Sequence, residues 1–177
     1  MIIVAPIDLQ QQQQVVEQTH HYIERACEIF GHRFAQIPVL FDLRGRSAGM
    51  YRVRNAQRQI RYNAHLFAKY FEDNLCVTVP HEVAHYVIDC LYGIRKVRPH
   101  GAEWKAVMRE FGADASRTCR YDFSGTPVKS EKRYDYHCGC KTHQLTTRRH
   151  NKVLKSGIYY VCKSCNGKLT YSSRHVR

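Results

Sequence analysis

The sequence lacks a long apolar run. No segment approaches the roughly 20 consecutive apolar residues that a membrane-spanning helix requires, so we predict that no part of the chain crosses a membrane. The first residues, MIIVAPIDLQQQQQ, also lack the basic region and the long apolar core of a signal peptide. We therefore expect a cytoplasmic protein, whose eight cysteines stay reduced instead of forming disulfides.

Acidic residues are scarce, above all in the last quarter of the chain. The whole sequence carries 28 Lys and Arg against 15 Asp and Glu, a net charge of +13. Residues 1–128 hold 16 basic and 13 acidic residues, whereas residues 129–177 hold 12 basic and only 2 acidic residues. A block this basic attracts polyanions, and nucleic acid is a common one. We expect nucleic acid as a partner, with a merely solvated basic surface as the alternative.

The apolar pattern predicts an α+β fold of two domains, residues 1–128 and a small basic module at 129–177. From about residue 113 to 135 the pattern fades, which marks the boundary. Beyond it we predict short strands and knuckles, because no segment there has a helix-length apolar period. In the first domain the pattern predicts helices and a small antiparallel sheet of three strands: helices over 8–30, 63–71, 74–92 and 102–111, and the sheet over 37–62.

The segment Pro80-His81-Glu82-Val83-Ala84-His85 carries the motif His-Glu-x-x-His. On a helix the two histidines project from one face, so both imidazoles can bind one zinc ion. Glu82 lies beside them and can take a proton from water that the metal activates. Pro80 either begins this helix or kinks a longer one, and the sequence allows both. The motif predicts a catalytic zinc site with Glu82 as the general base.

A catalytic zinc ion needs a third protein ligand and an open position. The candidates downstream are His100, Glu103 and Asp89. We favour His100, because Pro99 and Gly101 on either side suit a turn that folds back over the helix. Asp89 lies four residues after His85 and is a candidate hydrogen-bond acceptor for a ligand. Tyr86 or Tyr92 is a candidate donor to an oxyanion.

The eight cysteines fall into two groups. We expect the four that are scattered among apolar neighbours to be buried thiols: Cys27, Cys76, Cys90 and Cys119. The other four form two close pairs in the basic module, which is the spacing of a structural zinc site: Cys138 with Cys140, and Cys162 with Cys165. About 40 residues bury too little apolar surface to fold unaided, so zinc would stabilise this module.

The ligand set of this second site has two solutions. Cys162 and Cys165 supply two ligands, and two of Cys138, Cys140 and His143 supply the others. Cys140 with His143 keeps a spacing of two intervening residues, whereas Cys138 with Cys140 gives four thiolates. A redox Cys-x-x-Cys pair is a further alternative, but it needs no matching second pair.

Cations and aromatic rings lie between the two cysteine pairs. Arg148, Arg149, Lys152 and Lys155 are candidates for phosphate contacts. Tyr159, Tyr160 and Tyr171 offer faces on which unpaired bases can stack, or they pack the small core of the module. This composition suits single-stranded DNA or a junction.

In combination these segments resemble the bacterial SprT family, which is related to the Spartan-type zinc metalloproteases. The resemblance spans essentially the whole chain and is carried by RGRSAGM, VPHEVAHYVI, RPHGAEWKAVM, CGCKTHQLTTRRHNKV and YVCKSCNGKL. It implies a zincin-like domain in which His81, His85 and His100 bind zinc and Glu82 is catalytic. It also implies a C-terminal zinc ribbon that carries the cysteine pairs. Spartan-type relatives cleave proteins crosslinked to DNA and are stimulated by DNA.

The residues and the resemblance together predict a zinc metallopeptidase that acts on DNA-bound or DNA-crosslinked proteins. One alternative is a non-catalytic regulator that binds nucleic acid and has two structural zinc sites. Glu82 argues against it, because a structural site does not need this residue. Another alternative is a zinc hydrolase of small substrates, which would work without DNA.

Overall fold

The computed structural model describes residues 3–115, 121–127 and 132–172. The chain divides into two compact units, residues 1–128 and residues 129–177. Both units combine helices with a small three-stranded sheet, so the fold is α+β. Among the described residues, no helix is both long and apolar enough to cross a membrane.

The first helix, α1 (Leu9–Phe30), has a defined signal at each end. The Asp8 side chain accepts a hydrogen bond from the Gln11 N–H at 2.8 Å, and the Gln11 side chain accepts one from the Asp8 N–H. These reciprocal bonds form a capping box. Gly31 ends the helix with φ 56°, in the left-handed conformation that glycine adopts without strain. The buried face of α1 carries Val15, Thr19, Ile23 and Ala26.

Three strands follow: β1 (Val39–Leu40), β2 (Gly49–Arg54) and β3 (Gln57–Tyr62). Strands β2 and β3 form an antiparallel hairpin, whose two-residue turn places Asn55 and Ala56 at positive φ. The strand order is β1-β3-β2, and β1 runs parallel to β3. The prediction of a purely antiparallel sheet is therefore wrong for β1. The segment between β1 and β2 carries the chain to the opposite edge of β3, so β1 is not joined to its neighbour by a hairpin.

Two further helical stretches lead into the site. Asn63 caps α2 (Ala64–Lys69), and its side chain accepts hydrogen bonds from the N–H groups of His65 and Leu66. A second stretch comprises α3 (Phe71–Asp73), a π-helical turn at Asn74–Thr78, and α4 (Val79–Tyr92). Pro80 thus lies inside a longer helical stretch. The wider π-helical turn before it relieves the clash and the missing hydrogen bond that a proline causes in a regular helix.

Helix α4 is the centre of the first unit. It packs against α1 on one side and α5 (Ala102–Glu110) on the other, and it also contacts β2 and β3. Nine of its 14 residues are buried, including Val83, Ala84 and Val87. The helix that carries His81 and His85 is therefore positioned by a large apolar core.

The second unit contains β4 (Arg133–His137), β5 (Thr142–Thr146), α6 (Thr147–Ser156) and β6 (Thr170–Tyr171), with strand order β5-β4-β6. The prediction of short strands and knuckles alone is wrong for residues 147–156, which form α6. Helix α6 has only two apolar residues, Val153 and Leu154, so it lacks the apolar period that reveals a helix in a sequence. It is defined instead by its ends, where the Thr146 side chain caps the Arg149 N–H and Gly157 adopts φ 61°.

The core of the second unit is small. Its buried apolar residues are Tyr136, Leu145, Cys162 and Leu169. One of these four is a cysteine of the predicted zinc site. Of the scattered cysteines, Cys27 and Cys90 are half-buried and Cys76 is exposed, so the prediction of a buried thiol is wrong for Cys76; Cys119 lies outside the described residues.

Candidate metal centres

The first candidate centre brings together three imidazoles from two elements. His81 and His85 project from one face of α4, one turn apart, and His100 lies in the loop before α5 with φ 55°. The Nε2 atoms of His81 and His85 are 3.2 Å apart, and the His100 Nε2 lies 2.9 Å from the first and 3.0 Å from the second. The structure therefore places all three sequence-predicted histidines at one point.

This arrangement fits a metal ion. Two nitrogens bound tetrahedrally to one zinc ion at about 2.1 Å lie about 3.4 Å apart, close to the separations seen here. Burial lowers the pKa of His81 to about 4. Burial, together with the charges of His81 and His100, lowers the pKa of His85 to about 3. Neutral imidazoles present lone pairs, so these residues could hold a divalent cation such as zinc.

Glu82 is buried beside the histidines and is held in one orientation. Its Oε2 atom accepts a hydrogen bond from the Tyr51 N–H at 2.6 Å. Burial raises the pKa of Glu82 to about 7, although this hydrogen bond works in the opposite direction. A carboxyl group with a pKa near 7 can both accept and donate a proton at neutral pH.

Gly49 allows this close approach between β2 and α4. A Cβ atom at Gly49 would lie 2.6 Å from the Glu82 Cγ and 2.7 Å from the Thr78 Cγ2. Real Cβ atoms do not come so close to other heavy atoms, so position 49 has room only for glycine. The sequence shows Gly49 before the hairpin, but nothing in its pattern reveals this contact.

Trp104 supports the histidine cluster, and the sequence pattern did not predict this role. Its side chain is fully buried, and its Nε1–H donates to the His81 carbonyl oxygen at 3.3 Å. The indole ring centroid lies 4.7 Å from the ring centroids of both His81 and His100. Trp104 thus fixes a histidine of α4 and the histidine of the loop together. The signal was available, because this is the only tryptophan of the chain and follows His100 by one helical turn.

Asp89 does not accept a hydrogen bond from the histidines, so that expectation is wrong. Its Oδ2 atom accepts from the Tyr51 hydroxyl at 2.6 Å and from the Arg58 Nε at 2.8 Å. Its Oδ1 atom accepts from the Ile94 N–H at 2.8 Å. Asp89 therefore joins the β2–β3 hairpin and the loop after α4 to the same helix. Both of those segments border the histidine site.

A cavity of about 300 Å³ opens next to the histidine cluster. Strand β2 forms one wall with Gly49, Met50 and Tyr51, and the loop between α4 and α5 forms the other. The hypothesis that Tyr86 or Tyr92 donates to an oxyanion is wrong, because neither lines this cavity and the Tyr86 hydroxyl donates to the Ala35 carbonyl. The remaining lining is mostly apolar and includes Ile88, Ile94, Val97 and Pro99.

The second candidate centre is a cluster of four thiols. The Sγ atoms of Cys138, Cys140, Cys162 and Cys165 all lie within 4.8 Å of one another. The Ser164 N–H points at the Cys162 Sγ at 3.4 Å, and backbone N–H groups of Ser164 and Cys165 lower the pKa of Cys162 to about 5. A thiolate stabilised in this way is a good metal ligand. The cluster is compatible with zinc.

His143 lies against this cluster without joining the group of four. Its Nε2 atom is 3.2 Å from the Cys138 Sγ. This contact raises the pKa of His143, and its effect is larger than that of burial, which lowers the pKa. Of the two solutions from the sequence, the geometry favours the four cysteines, with His143 as a hydrogen-bond donor to Cys138.

Helix α6 contains the four basic residues that are candidates for phosphate contacts. Arg148, Lys152 and Lys155 are exposed and recur at the spacing of one helix face. Arg149 lies on another face, with its guanidinium 5.7 Å from the Tyr160 ring centroid. His150 points inward and stacks on Tyr134, with ring centroids 3.7 Å apart.

The tyrosines of this unit divide between core and surface. Tyr159 is 62% exposed, and the Lys168 Nζ lies 5.2 Å from its ring centroid. Tyr160 is half-buried against the small core, and Tyr171 is 42% exposed while packing on His150. Tyr159 therefore offers the most open ring face of the three.

Comparison with known proteins gives one consistent result. The model of the SprT-like family matches residues 13–130. The chain is 37% identical to Protein SprT of Vibrio parahaemolyticus over 151 residues, which cover 85% of this chain and 87% of the relative. It is 35% identical to Protein SprT of Shewanella oneidensis over 159 residues, which cover 90% of this chain and 98% of the relative. No solved structure matches the chain.

Proposed function

This chain belongs to the SprT-like family, and we propose that it is a zinc-dependent metallopeptidase acting on DNA-bound or DNA-crosslinked proteins. The observation that carries the proposal is the convergence of three imidazole Nε2 atoms within 3.2 Å, with the Glu82 carboxylate beside them at the wall of a cavity. The first unit is then a zincin-like catalytic domain and the second a zinc ribbon.

His81, His85 and His100 would hold the catalytic zinc ion. The ion would act as a Lewis acid on the carbonyl oxygen of the substrate and on water. The protein supports this site through Trp104, which contacts His81 and His100 and keeps their rings in place. Three protein ligands are the number typical of a catalytic zinc site, and His81, His85 and His100 would supply them.

Glu82 is the proposed general base. The Tyr51 N–H binds one carboxylate oxygen, which leaves the other to accept the proton of the attacking water. Glu82 can then return this proton to the leaving nitrogen, since a group with a pKa near 7 acts as base and acid in turn. Replacing Glu82 by Gln removes the proton acceptor and keeps the shape of the side chain.

The geometry of the cavity favours an extended polypeptide as the substrate. Strand β2 lies at the edge of its sheet and lines the cavity at Gly49, Met50 and Tyr51. An edge strand can pair with an extended peptide through backbone groups, and this pairing does not depend on the peptide sequence. Apolar walls at Ile88, Ile94 and Val97 suit side chains of a peptide better than a small polar substrate.

A structural zinc ion bound by Cys138, Cys140, Cys162 and Cys165 is part of the proposal. Close cysteine pairs that bind a metal instead of forming disulfides are more typical of cytosolic proteins, which supports a cytoplasmic location. The zinc ribbon would present Arg148, Lys152 and Lys155 on one face of α6 to the phosphates of single-stranded DNA or a junction. The exposed ring of Tyr159 would stack on an unpaired base.

The proposal is tested by cleavage of a protein crosslinked to DNA. Full-length protein loaded with zinc is incubated with this substrate, with and without added single-stranded DNA. We expect cleavage by the wild type, stimulation by DNA, and no cleavage by the Glu82→Gln variant. Equal activity of the wild type and Glu82→Gln at every DNA concentration would contradict an enzymatic role.

The same experiment separates the alternatives. A regulator with two structural zinc ions would bind DNA and cleave nothing. A hydrolase of small substrates would turn over short peptides or esters without DNA and would leave the crosslinked protein intact. Either result would overturn the proposed peptidase function.

A further inference from the structure

The first unit has a set of cations of its own, in chain segments other than the basic module. The segments 43–71 and 90–102 together contain ten of the 16 Lys and Arg residues in residues 1–128, and neither contains Asp or Glu. The modest net charge of the first unit therefore hides an uneven distribution. The acidic residues of this unit lie in other parts of the chain.

One of these segments forms a wall of the cavity beside the histidines. Ile94, Val97 and Pro99 of the loop between α4 and α5 line the cavity. The residues that alternate with them are cations and are exposed: Arg95, Lys96 and Arg98. The loop therefore lines the cavity with apolar residues, while its cations are exposed and do not line it.

The other segment forms the opposite wall. Met50 of β2 lines the cavity. Side chains two residues apart lie on the same face of a strand, so Arg52 and Arg54 follow Met50 along one face of β2. Arg54 is exposed, and it lies about 13 Å from Met50 along the strand. Exposed cations thus occur in the chain segments that form both walls of the cavity.

These cations have no carboxylate partners among the described residues. The ion pairs found there use Arg58, Arg61 and Lys69. None of Arg54, Arg95, Lys96 and Arg98 lies within 4.0 Å of a carboxylate oxygen of a described residue. Their charge is therefore available to an external anion.

The placement of the cations favours a large polyanion over an acidic peptide. The cavity lining contains no Lys or Arg, so the side chains of a bound peptide would meet apolar walls, the histidines and Glu82. The cations, which do not line the cavity, would contact a ligand that extends beyond it. A nucleic-acid backbone has regularly spaced phosphates, which can reach the cations in the segments of both walls.

We infer that the catalytic unit has its own DNA-binding surface at the mouth of the active-site cavity, formed by Arg54, Arg95, Lys96 and Arg98. This inference rests on the proposed function for the identity of the polyanion. It adds a contact that is separate from α6 of the second unit. Such a surface would hold the cavity against DNA, where a crosslinked protein is attached.

The test measures DNA binding by the full-length, zinc-loaded protein that also carries Glu82→Gln, so that the result does not depend on catalysis. The probe is a fluorescent single-stranded oligonucleotide of about 15 nucleotides. The mouth variant combines Arg54→Gln, Arg95→Gln and Lys96→Gln. A matched control removes three exposed cations elsewhere in the unit: Arg33→Gln, Lys105→Gln and Arg109→Gln.

We expect the mouth variant to bind DNA about tenfold more weakly, with a salt slope reduced by about 2, since each contact to single-stranded DNA contributes about 0.7. The control should change affinity less than twofold. The α6 variant carries Arg148→Gln, Lys152→Gln and Lys155→Gln. When these substitutions are added to the mouth variant, they should weaken DNA binding by the same factor as in the wild-type background, because the free energies of independent contacts are additive.

Three outcomes would overturn the inference. A mouth variant that binds like the control would leave these cations as a solvated surface only. A combined variant that binds no more weakly than the α6 variant would place the whole DNA contact in the second unit. In the third outcome, the mouth variant keeps wild-type DNA affinity. The same substitutions, tested without Glu82→Gln, then abolish hydrolysis of acidic peptides but not of neutral ones. This result would show that the surface recognises acidic polypeptide.

Failure of the proposed function gives a different result. If the wild type cleaves no protein or peptide under any condition, the peptidase proposal fails, whereas the binding measurement on Glu82→Gln is unaffected. The two conclusions can therefore be reached separately.

Discussion

The histidine cluster and the cysteine cluster differ in how much of their surroundings depends on the ligands. His81 and His85 lie on α4, a helix whose buried face is filled by apolar residues such as Val83 and Val87. In the second unit, by contrast, Cys162 is itself one of only four buried apolar residues among those the structure describes. The histidine cluster is thus held by a helix that a separate apolar core packs in place, whereas the cysteine cluster forms part of the core of the second unit.

This difference agrees with the proposed roles, in which the histidine cluster serves catalysis and the cysteine cluster serves stability. A catalytic metal can be lost without unfolding the domain when packing elsewhere holds the ligands in place. A small module with little apolar core depends on its metal for the folded state. The following predictions test this distinction, from the largest expected effect to the smallest.

The largest effect should follow removal of the metal ions with a strong chelator. We expect the second unit to unfold and the first to stay folded, because structural zinc contributes about 10–16 kcal/mol to small domains. Hydrogen exchange followed residue by residue would detect loss of amide protection in β4, β5 and α6 alone. Cys162→Ser should have the same effect without chelator, and His85→Ala should leave both units folded. If the amides of the second unit stay protected from exchange in Cys162→Ser, the two units do not differ in how far their folding depends on the metal.

Adding a methyl group should harm the histidine site more than the cysteine site. A Cβ at Gly49 would lie 2.6 Å from the Glu82 Cγ, whereas a Cβ at Gly167 would lie 3.0 Å from the Cys138 carbonyl oxygen and 3.2 Å from the Cys165 Sγ. We expect Gly49→Ala to lower the free energy of unfolding by about 2–3 kcal/mol, as overpacking does. Gly167→Ala should lower it by under about 1 kcal/mol, because its neighbours need to move less. Chemical denaturation of both variants measures this; an equal loss would contradict it.

Asp89→Asn should destabilise the first unit by about 2 kcal/mol at pH 7, because hydrogen bonds to a charged group are worth about 1.5–3 kcal/mol. Burial alone would raise the pKa of Asp89, but hydrogen bonds from Tyr51 and Arg58 hold it below its usual value of 3.8. The stabilisation is therefore present above pH 3.8 and is lost as the pH falls below it. Denaturation curves at pH 7 and about pH 3 would show the gap between wild type and variant closing. A gap that persists at low pH would assign the effect to packing.

The smallest effects should come from the helix caps. Asp8 binds the Gln11 N–H at 2.8 Å in a capping box, whereas Thr146 binds the Arg149 N–H at 3.4 Å without one. We expect Asp8→Ala to lower the free energy of unfolding of its unit by about 1 kcal/mol and Thr146→Ala by about 0.5 kcal/mol. Thermal unfolding of the zinc-loaded protein measures both. The reverse order would show that the longer bond is the stronger one.

The sequence predicted those features that depend on local spacing. The apolar pattern predicted a helix over residues 8–30, where the structure has α1, and the motif around His81 and His85 placed both imidazoles on one helix face. His100 was identified by a turn between Pro99 and Gly101, and the structure brings it next to the other two histidines. The SprT family was also identified from such local segments and is confirmed.

Contacts between distant segments could not be predicted. Tyr51 and Glu82 are 31 residues apart, and only the folded chain shows that the Tyr51 N–H orients the carboxylate. Asp89 was assigned to the histidines because it lies one turn after His85, yet its partners come from the hairpin and the following loop. Helix α6 was missed because its residues are almost all polar, so its ends, not its periodicity, define it.

The most direct test of the account measures peptide-bond cleavage by the wild type and by Glu82→Gln, with the bound zinc counted in the same samples. We predict two zinc ions per chain in both proteins and a cleavage rate about 100- to 10,000-fold lower in the variant, because a positioned general base contributes about 10²–10⁴ in rate. Equal rates at equal zinc content would show that Glu82 takes no part in the chemistry and would contradict the central claim.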